Sequence, residues 1–299
     1  MRYATRLAKR NGSAIKVFDC IEPTATIVKK ILPSSWNLEK VVAHDREARL
    51  KQTVAGLKQQ GIDASYEVVI GNPVENITRE VIQNGHDIVI KTAQGSIKHK
   101  EEGFFSTTAI RLMRICPCPV CVVDPDQSDR FGRILIAVDT QQEDSQRQLL
   151  NKKILEMGIS LAEREEAQLD ILVPWSAFGE SVMNVKMSDD EIKAYINAHQ
   201  SEVQNNLDEL LKDFMERIDP DRVYVQHGDL DRILLDFTEK NGVDMLVIGT
   251  IARKGISGMI VGNTAEKVIH KIRCSVLTVK PDGFESTVAP DQQDDSATP

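Results

Sequence analysis

The sequence predicts an α/β protein made of two tandem doubly wound parallel-sheet domains. Three observations carry this reading: an internal repeat, Val/Ile/Leu-rich runs alternating with helical patterns, and a composition that supports two ordinary cores. At about 100–200 residues per domain, 299 residues allow two. A hydrophobic share of 41% beside 27% charged residues excludes collagen, coiled coil and wholesale disorder. No apolar run reaches the ~18 residues that span a bilayer, and the start MRYATRLAKR has no signal-peptide core. A net charge of −8 argues against general nucleic-acid binding, which needs a basic face. The expectation is a cytoplasmic protein with neither nucleic acid nor membrane as partner.

The repeat is read directly. Gly71–Ile90 recurs as Gly228–Val247, with a constant offset of 157 residues between Gly71 and Gly228 and between Asp87 and Asp244. Further on, Cys118–Asp126 recurs as Cys274–Asp282 at an offset of 156. The predicted division is a first domain over 1–126, a linker over 127–132, a second domain over 133–282 and a disordered acidic tail over 283–299.

In the second copy the strands are predicted at Arg133–Asp139, Leu169–Val173, Val223–His227, Met245–Gly249 and Ser275–Lys280. Their nearly continuous apolar character suits strands buried on both faces. Ile192, Ile196, His199, Val203, Leu207, Leu210, Leu211, Phe214 and Ile218 recur at three- and four-residue steps, an amphipathic helix. Such alternation implies a parallel, Rossmann-like sheet with right-handed crossovers and a ligand crevice beyond the strands' carboxyl ends. The first copy starts differently. Leu7–Arg10 matches Leu161–Arg164, so the chain begins inside the first helix and lacks the opening strand. A late start of the sequence is favoured over a rearranged domain, because losing an inner strand exposes two edges. The fifth strands, Pro119–Asp124 and Ser275–Lys280, are expected to lie side by side about a pseudo-twofold axis, an intramolecular pseudo-dimer; a homodimer of the chain is a further expectation.

Three of five cysteines crowd into Cys116-Pro-Cys118-Pro-Val-Cys121. One reading is a metal or redox site; the favoured one is a buried strand with cysteine as a small hydrophobe, Cys118 and Cys121 facing opposite sides. No second Cys/His pair completes four zinc ligands.

Candidate chemistry lies after the fourth strand of the second copy. Gly249, Gly255, Gly258 and Gly262 let backbone approach a ligand, Arg253 and Lys254 add charge, and Gly262-Asn263-Thr264 opens a helix suited to phosphate. Turn and cap chemistry is the competing reading, since Asn263 and Glu266 have capping-box spacing. Asp139 ends the first strand, where a carboxylate can accept from ribose hydroxyls or an adenine amine, or can cap the following helix.

These residues resemble the universal stress proteins over both repeats. Nucleotide-binding members carry an aspartate ending the first strand and a loop G-x2-G-x9-G-[ST]; Asp139, Gly249 and Gly262 match, while Ala252 replaces the second glycine and Asn263 the hydroxyl residue, with Thr264 next. The resemblance implies a nucleotide site built from Val138, Asp139, Val173, Ile248, Gly249, Ala252, Arg253, Gly262, Asn263 and Thr264, with ATP or another nucleotide derivative as ligand. It implies no catalytic residue and no metal. In the first copy Thr92 and Ser106 stand at the positions of Gly249 and Gly262, which marks a structural or differently liganded domain.

No G-x4-GK[ST] loop is present. His227 reads as structural, without a partner for base or ligand duty. Long connections follow the second strands, with Ile27, Val28, Ile31, Leu32 and Trp36 in one copy and Trp175, Phe178, Val182, Met183, Val185 and Met187 in the other. Packing between repeats is favoured for them over an apolar wall for an amphiphilic nucleotide derivative. The expectation is a stress-response protein with a nucleotide site in its second domain; an interaction module with vestigial sites and a slow ATPase are the alternatives.

Overall fold

Helices and strands alternate along the chain in a computed structural model that describes residues 1–24, 37–94, 104–126, 130–141, 145–177, 179–180, 188–250 and 263–289. The first repeat gives α1 (Arg2–Asn11), β1 (Ile15–Ile21), α2 (Leu38–Gln59), β2 (Ala64–Ile70), α3 (Pro73–Asn84), β3 (Val89–Thr92), α4 (Thr107–Ile115) and β4 (Val120–Val123). The second gives β5 (Arg133–Ala137), α5 (Ser145–Glu165), β6 (Gln168–Trp175) and α6 (Asp189–Leu211), which tightens into a 3-10 segment, Lys212–Arg217. It continues through β7 (Val223–His227), α7 (Leu230–Asn241), β8 (Met245–Gly249), α8 (Asn263–Lys271) and β9 (Ser275–Val279).

The repeated block is a helix with its own start and stop. Asn72 accepts from the amides of Val74 and Glu75 to open α3, and Asp229 accepts from Arg232 to open α7. Both helices end on a left-handed glycine, Gly85 at φ 64° and Gly242 at φ 61°. The two copies therefore specify one local structure with different capping residues.

Strand pairing separates the copies. One sheet has the order β3-β4-β9-β8-β5-β6-β7; β1 and β2 form a second, two-stranded sheet. Every adjacent pair is parallel except β4 with β9. In the second repeat β5 lies between β6 and β8, with Ala137 opposite both Leu172 and Ile248. The corresponding strands of the first repeat, β1 and β3, lie in different sheets, and no strand joins them among the described residues. Burial follows: β5 is buried from Ile134 to Ala137 and β8 from Met245 to Ile248, whereas only Ile21 is buried in β1 and no residue is in β3.

The β4–β9 pairing has an internal symmetry. Cys121 stands opposite Leu277, its own counterpart in the repeat, while Val120 faces Thr278 and Val122 faces Val276. Equivalent residues are thus exchanged about one point, the signature of an isologous contact between two copies of one surface. The expected adjacency of the fifth strands is present, over Val120–Val123 and Ser275–Val279. The compact units are Met1–His86 with Ser286–Pro299, and Asp87–Glu285. They divide the chain at His86 and not at the linker 127–132, because β3 and β4 hydrogen-bond onward to β9.

Several boundaries differ from the sequence expectation. β5 stops at Ala137, two residues before Asp139, and β9 stops at Val279, before Lys280. β6 continues to Trp175, so this residue belongs to the strand and not to the connection after it. Residues 27, 28, 31, 32, 36, 178, 182, 183, 185 and 187 of the apolar connections lie outside the described residues. Part of the segment expected to be disordered is placed: Phe284 N–H donates to Pro281 O, and Val288 N–H donates to Ser286 Oγ. Residues 290–299 lie outside the description.

The amino edge of the large sheet is held by two carboxylates, Asp244 and the buried Asp170. Gly132 and Arg133 donate their amides to Asp244 Oδ2, at 2.7 and 2.9 Å. Its counterpart in the first repeat, Asp87, is exposed. Asp170, 0% exposed, accepts from Arg133 Nε at 2.6 Å and from Arg222 Nη1 at 2.9 Å. Replacing it by asparagine leaves two partly buried guanidiniums without their counter-charge. Asp170→Asn is expected to lower the stability of the larger unit by about 3 kcal/mol, read as an earlier urea midpoint at unchanged slope.

Candidate functional site

The carboxyl ends of β8, β5 and β6 converge where ligands of doubly wound sheets bind. Val138 extends the ladder beyond β5, its N–H donating to Leu172 O at 3.2 Å. The chain then turns at Asp139, whose Oδ1 accepts from the Gln141 N–H at 3.1 Å. This is an Asx-type turn that ends the strand; the helix cap considered from sequence is not what Asp139 makes, since α5 starts at Ser145.

Asp139 is held from three sides. Arg147 Nη1 lies 3.1 Å from its Oδ2, and Asn151 brackets its backbone by donating to the carbonyl at 2.7 Å and accepting from the amide at 3.4 Å. The side chain remains 41% exposed, so the carboxylate faces solvent with acceptor capacity left. Thr140 is buried, donating Oγ1 to Val203 O and accepting at its carbonyl from Asn206, both on α6. Gln141 Oε1 accepts from Ser176 N–H at 3.1 Å, which ties this turn to the end of β6. Two helices and a neighbouring strand thus fix the position of one carboxylate.

Of the sequence-predicted residues, Val138 and Asp139 follow β5, Val173 lies in β6, and Ile248 and Gly249 end β8. Val138, Val173 and Ile248 are buried. Ala252, Arg253 and Gly262 lie outside the described residues, as do the side chains of Asn263, Thr264 and Glu266; the helix itself opens at Asn263. Sequence reasoning missed Arg147 and Asn151. They stand one turn apart on α5, and the signal was a buried polar residue, Asn151, beside the apolar Leu150, Ile154 and Leu155.

Gly249 has a structural reason of its own. A Cβ built there comes 2.7 Å from Ile154 Cδ1 and 3.0 Å from Leu150 Cδ2, both on buried α5 side chains. A side chain at this position would have to displace the ends of both residues. In the first repeat the corresponding Thr92 donates to Gln94 O, and Ser106 caps α4 by accepting from Ala109 N–H at 3.3 Å. Those positions serve the local fold.

Beside the crevice, His227 has a partner after all. Its Nε2 lies 2.9 Å from Glu180 Oε2, and its ring packs 4.4 Å from Trp175. On the other flank, Thr250 follows β8 and accepts from Lys280 Nζ, which also donates to Met113 O at the end of α4 at 2.5 Å. Lys280 is 1% exposed, and burial pulls its ammonium down to about 7, opposed by the nearby Cys116 and Cys118. The cysteine motif also departs from expectation. Cys118 lies outside β4, and its Sγ is 3.6 Å from Cys116 Sγ, so it does not alternate with Cys121 along a strand.

Comparison with known proteins gives a consistent picture. The model of the Universal stress protein family matches residues 1–124 and 130–280. Universal stress protein E of Photorhabdus laumondii is 30% identical over 299 residues, covering 96% of this chain and 92% of that protein. Universal stress protein E of Escherichia coli K12 is 29% identical over 300 residues, covering 99% and 93%. In fold, a functionally unknown protein of Pseudomonas aeruginosa PAO1 matches with a TM-score of 0.67 at 22% identity, covering 94% of this chain and 87% of its own. A universal stress protein of Archaeoglobus fulgidus DSM 4304 matches at 0.60 and 16% identity, covering 94% and 90%.

Two outcomes test this geometry. Gly249→Val is expected to destabilise the larger unit by about 1–3 kcal/mol through overpacking against Leu150 and Ile154, measured by urea unfolding. Lys280 binds a proton near pH 10.5 when unfolded but near 7 when folded. Between these values the unfolded chain holds the extra proton, so stability rises with pH across the window, by at most about 1.4 kcal/mol per unit. Unfolding series at pH 7–8.5 are expected to show this slope with Lys280 and its loss in Lys280→Met, both measured with Cys116 and Cys118, the titratable groups facing it, replaced by serine.

Proposed function

The chain belongs to the universal stress protein family, and from that premise we propose that its second repeat binds a nucleotide or nucleotide derivative at the carboxyl edge of β8, β5 and β6. The observation that carries the reading is the fixed, half-exposed carboxylate of Asp139, just beyond the end of β5, the strand that pairs with β8. Its free acceptor positions suit the hydroxyls of a ribose or the amine of an adenine. Val138, Val173 and Ile248 give this edge the apolar surroundings that suit a planar base.

Gly262, Asn263 and Thr264 take the phosphate, on the amides at the amino end of α8, with Arg253 as the neighbouring cation and Ala252 lining the loop. Asn263 begins that helix, which supports this assignment. The first repeat has no such role in this proposal, since Ser106 already caps α4. The two repeats act as an intramolecular pair through β4 and β9, with division 1–126 and 133–282 as evolutionary units. ATP hydrolysis is not part of the proposal.

A second reading has one observation in its favour. Asp139 is already neutralised by Arg147 at 3.1 Å, so the site is satisfied without a ligand, as a vestigial site on an interaction module would be. Titration calorimetry of the intact chain with ATP and with uridine nucleotides, up to millimolar concentration, separates the two. Asp139→Asn keeps the acceptor for the Gln141 amide but removes the charge; it is expected to weaken nucleotide binding at least about tenfold with the fold intact. No heat in the wild type, or equal affinity in Asp139→Asn, would favour the interaction module.

A further inference from the structure

The motif Cys116-Pro117-Cys118 takes no part in the carboxyl-edge site. It forms the turn between α4 and β4, and its two sulfurs lie 3.6 Å apart. Proline fixes one backbone torsion between them, so the turn that brings the thiols together has little freedom to part them. Both are buried, Cys116 completely, with Cys118 the more exposed of the two at 9%. The third member of the cluster is Lys280. Its Nζ donates to the carbonyl of Met113, three residues before Cys116, and its charge acts on both thiols.

We infer that Cys116 and Cys118 form an oxidisable dithiol that closes to a disulfide on reaction with a peroxide, with Lys280 as the cation that directs attack to Cys116. The hydrogen bond between the two sulfurs and, more weakly, the field of Lys280 lower the Cys116 thiol from its ordinary value, while the same bond and burial push Cys118 up. Cys20, Cys121 and Cys274, lacking this arrangement, are each pushed up to about 12 by burial.

The chemistry balances. The Cys116 thiolate attacks one peroxide oxygen; an S–O bond forms, the O–O bond breaks, and hydroxide leaves to become water by taking one proton. Cys118 then attacks the sulfenic sulfur; the S–S bond forms, the S–O bond breaks, and water leaves with the second proton. Two thiols lose two electrons and two protons, and one hydrogen peroxide becomes two waters. The sulfurs close from 3.6 Å to about 2.05 Å, a movement within reach of side-chain rotation.

The test uses the intact reduced chain in a Cys121→Ser background, where the tryptic peptide Ile115–Arg130 contains only Cys116 and Cys118. After treatment with hydrogen peroxide and alkylation in denaturant, that peptide is expected to escape alkylation and weigh about 2 Da less, reversibly with dithiothreitol. Cys118→Ser is expected to trap a sulfenic acid on Cys116 that dimedone labels, and Cys116→Ser to abolish both products. Lys280→Met is expected to slow closure about tenfold, one unit of thiolate pKa, in protein whose circular dichroism matches the parent. Alkylation of both thiols after peroxide, a disulfide to Cys20 or Cys274 instead, or an unchanged rate in folded Lys280→Met would overturn the inference.

Discussion

A strand inside a buried parallel sheet must satisfy its backbone on both edges and cover both faces, and β5 meets that constraint for the second repeat. Ala137 pairs across to Leu172 on one side and Ile248 on the other, and Asp244 receives the amides that enter the strand. With β5 in place, β6, β8 and β9 become continuous buried runs, and α5 packs so closely that Gly158 and Gly249 admit no side chain beside Ile136 and Ile154. The first repeat has a matching helix cassette, α3, between β2 and β3. Without an inner strand among the described residues, its strands pair as β1–β2 and β3–β4, in separate sheets.

The pairing of β4 with β9 then becomes the seam on which other features depend. Its register exchanges equivalent residues about Cys121 and Leu277, so one surface recognises its own copy. The seam also brings the end of β9 against the end of α4, and there a lysine is buried. Lys280 places two donors on Met113 O and Thr250 Oγ1, which offsets part of its desolvation, and it sets the charge environment of Cys116 and Cys118. A backbone symmetry thus produces an asymmetric chemical pocket, because the cysteines come from one repeat and the lysine from the other.

At the carboxyl edge, positioning and binding draw on different residues. Arg147, Asn151, Gln141 and Asn206 hold the turn, while Asp139 remains the group turned to solvent. Such division is typical of sites built where strand order reverses: the scaffold satisfies its own polar groups, and one carboxylate keeps spare acceptor capacity. His227 and Trp175, which sequence patterns placed in other roles, wall the adjacent edge with Glu180.

The repeat, the α/β class and the end of β8 at Gly249 were legible in the sequence. Each is written in local periodicity or in an offset between copies, and parallel-sheet topology carries strand ends to one edge. Partner choice was not legible. That Asp139 pairs with Arg147, that His227 finds Glu180, that Gly249 is demanded by Ile154, and that Cys118 turns toward Cys116 all depend on which elements lie within a few ångströms. The sequence by itself determined the two copies and the order of their elements, because hydrophobic period and capping act over a few residues. Only the tertiary structure decided which charges are paired and which glycines and thiols are constrained, because those contacts join residues that strand pairing alone brings together.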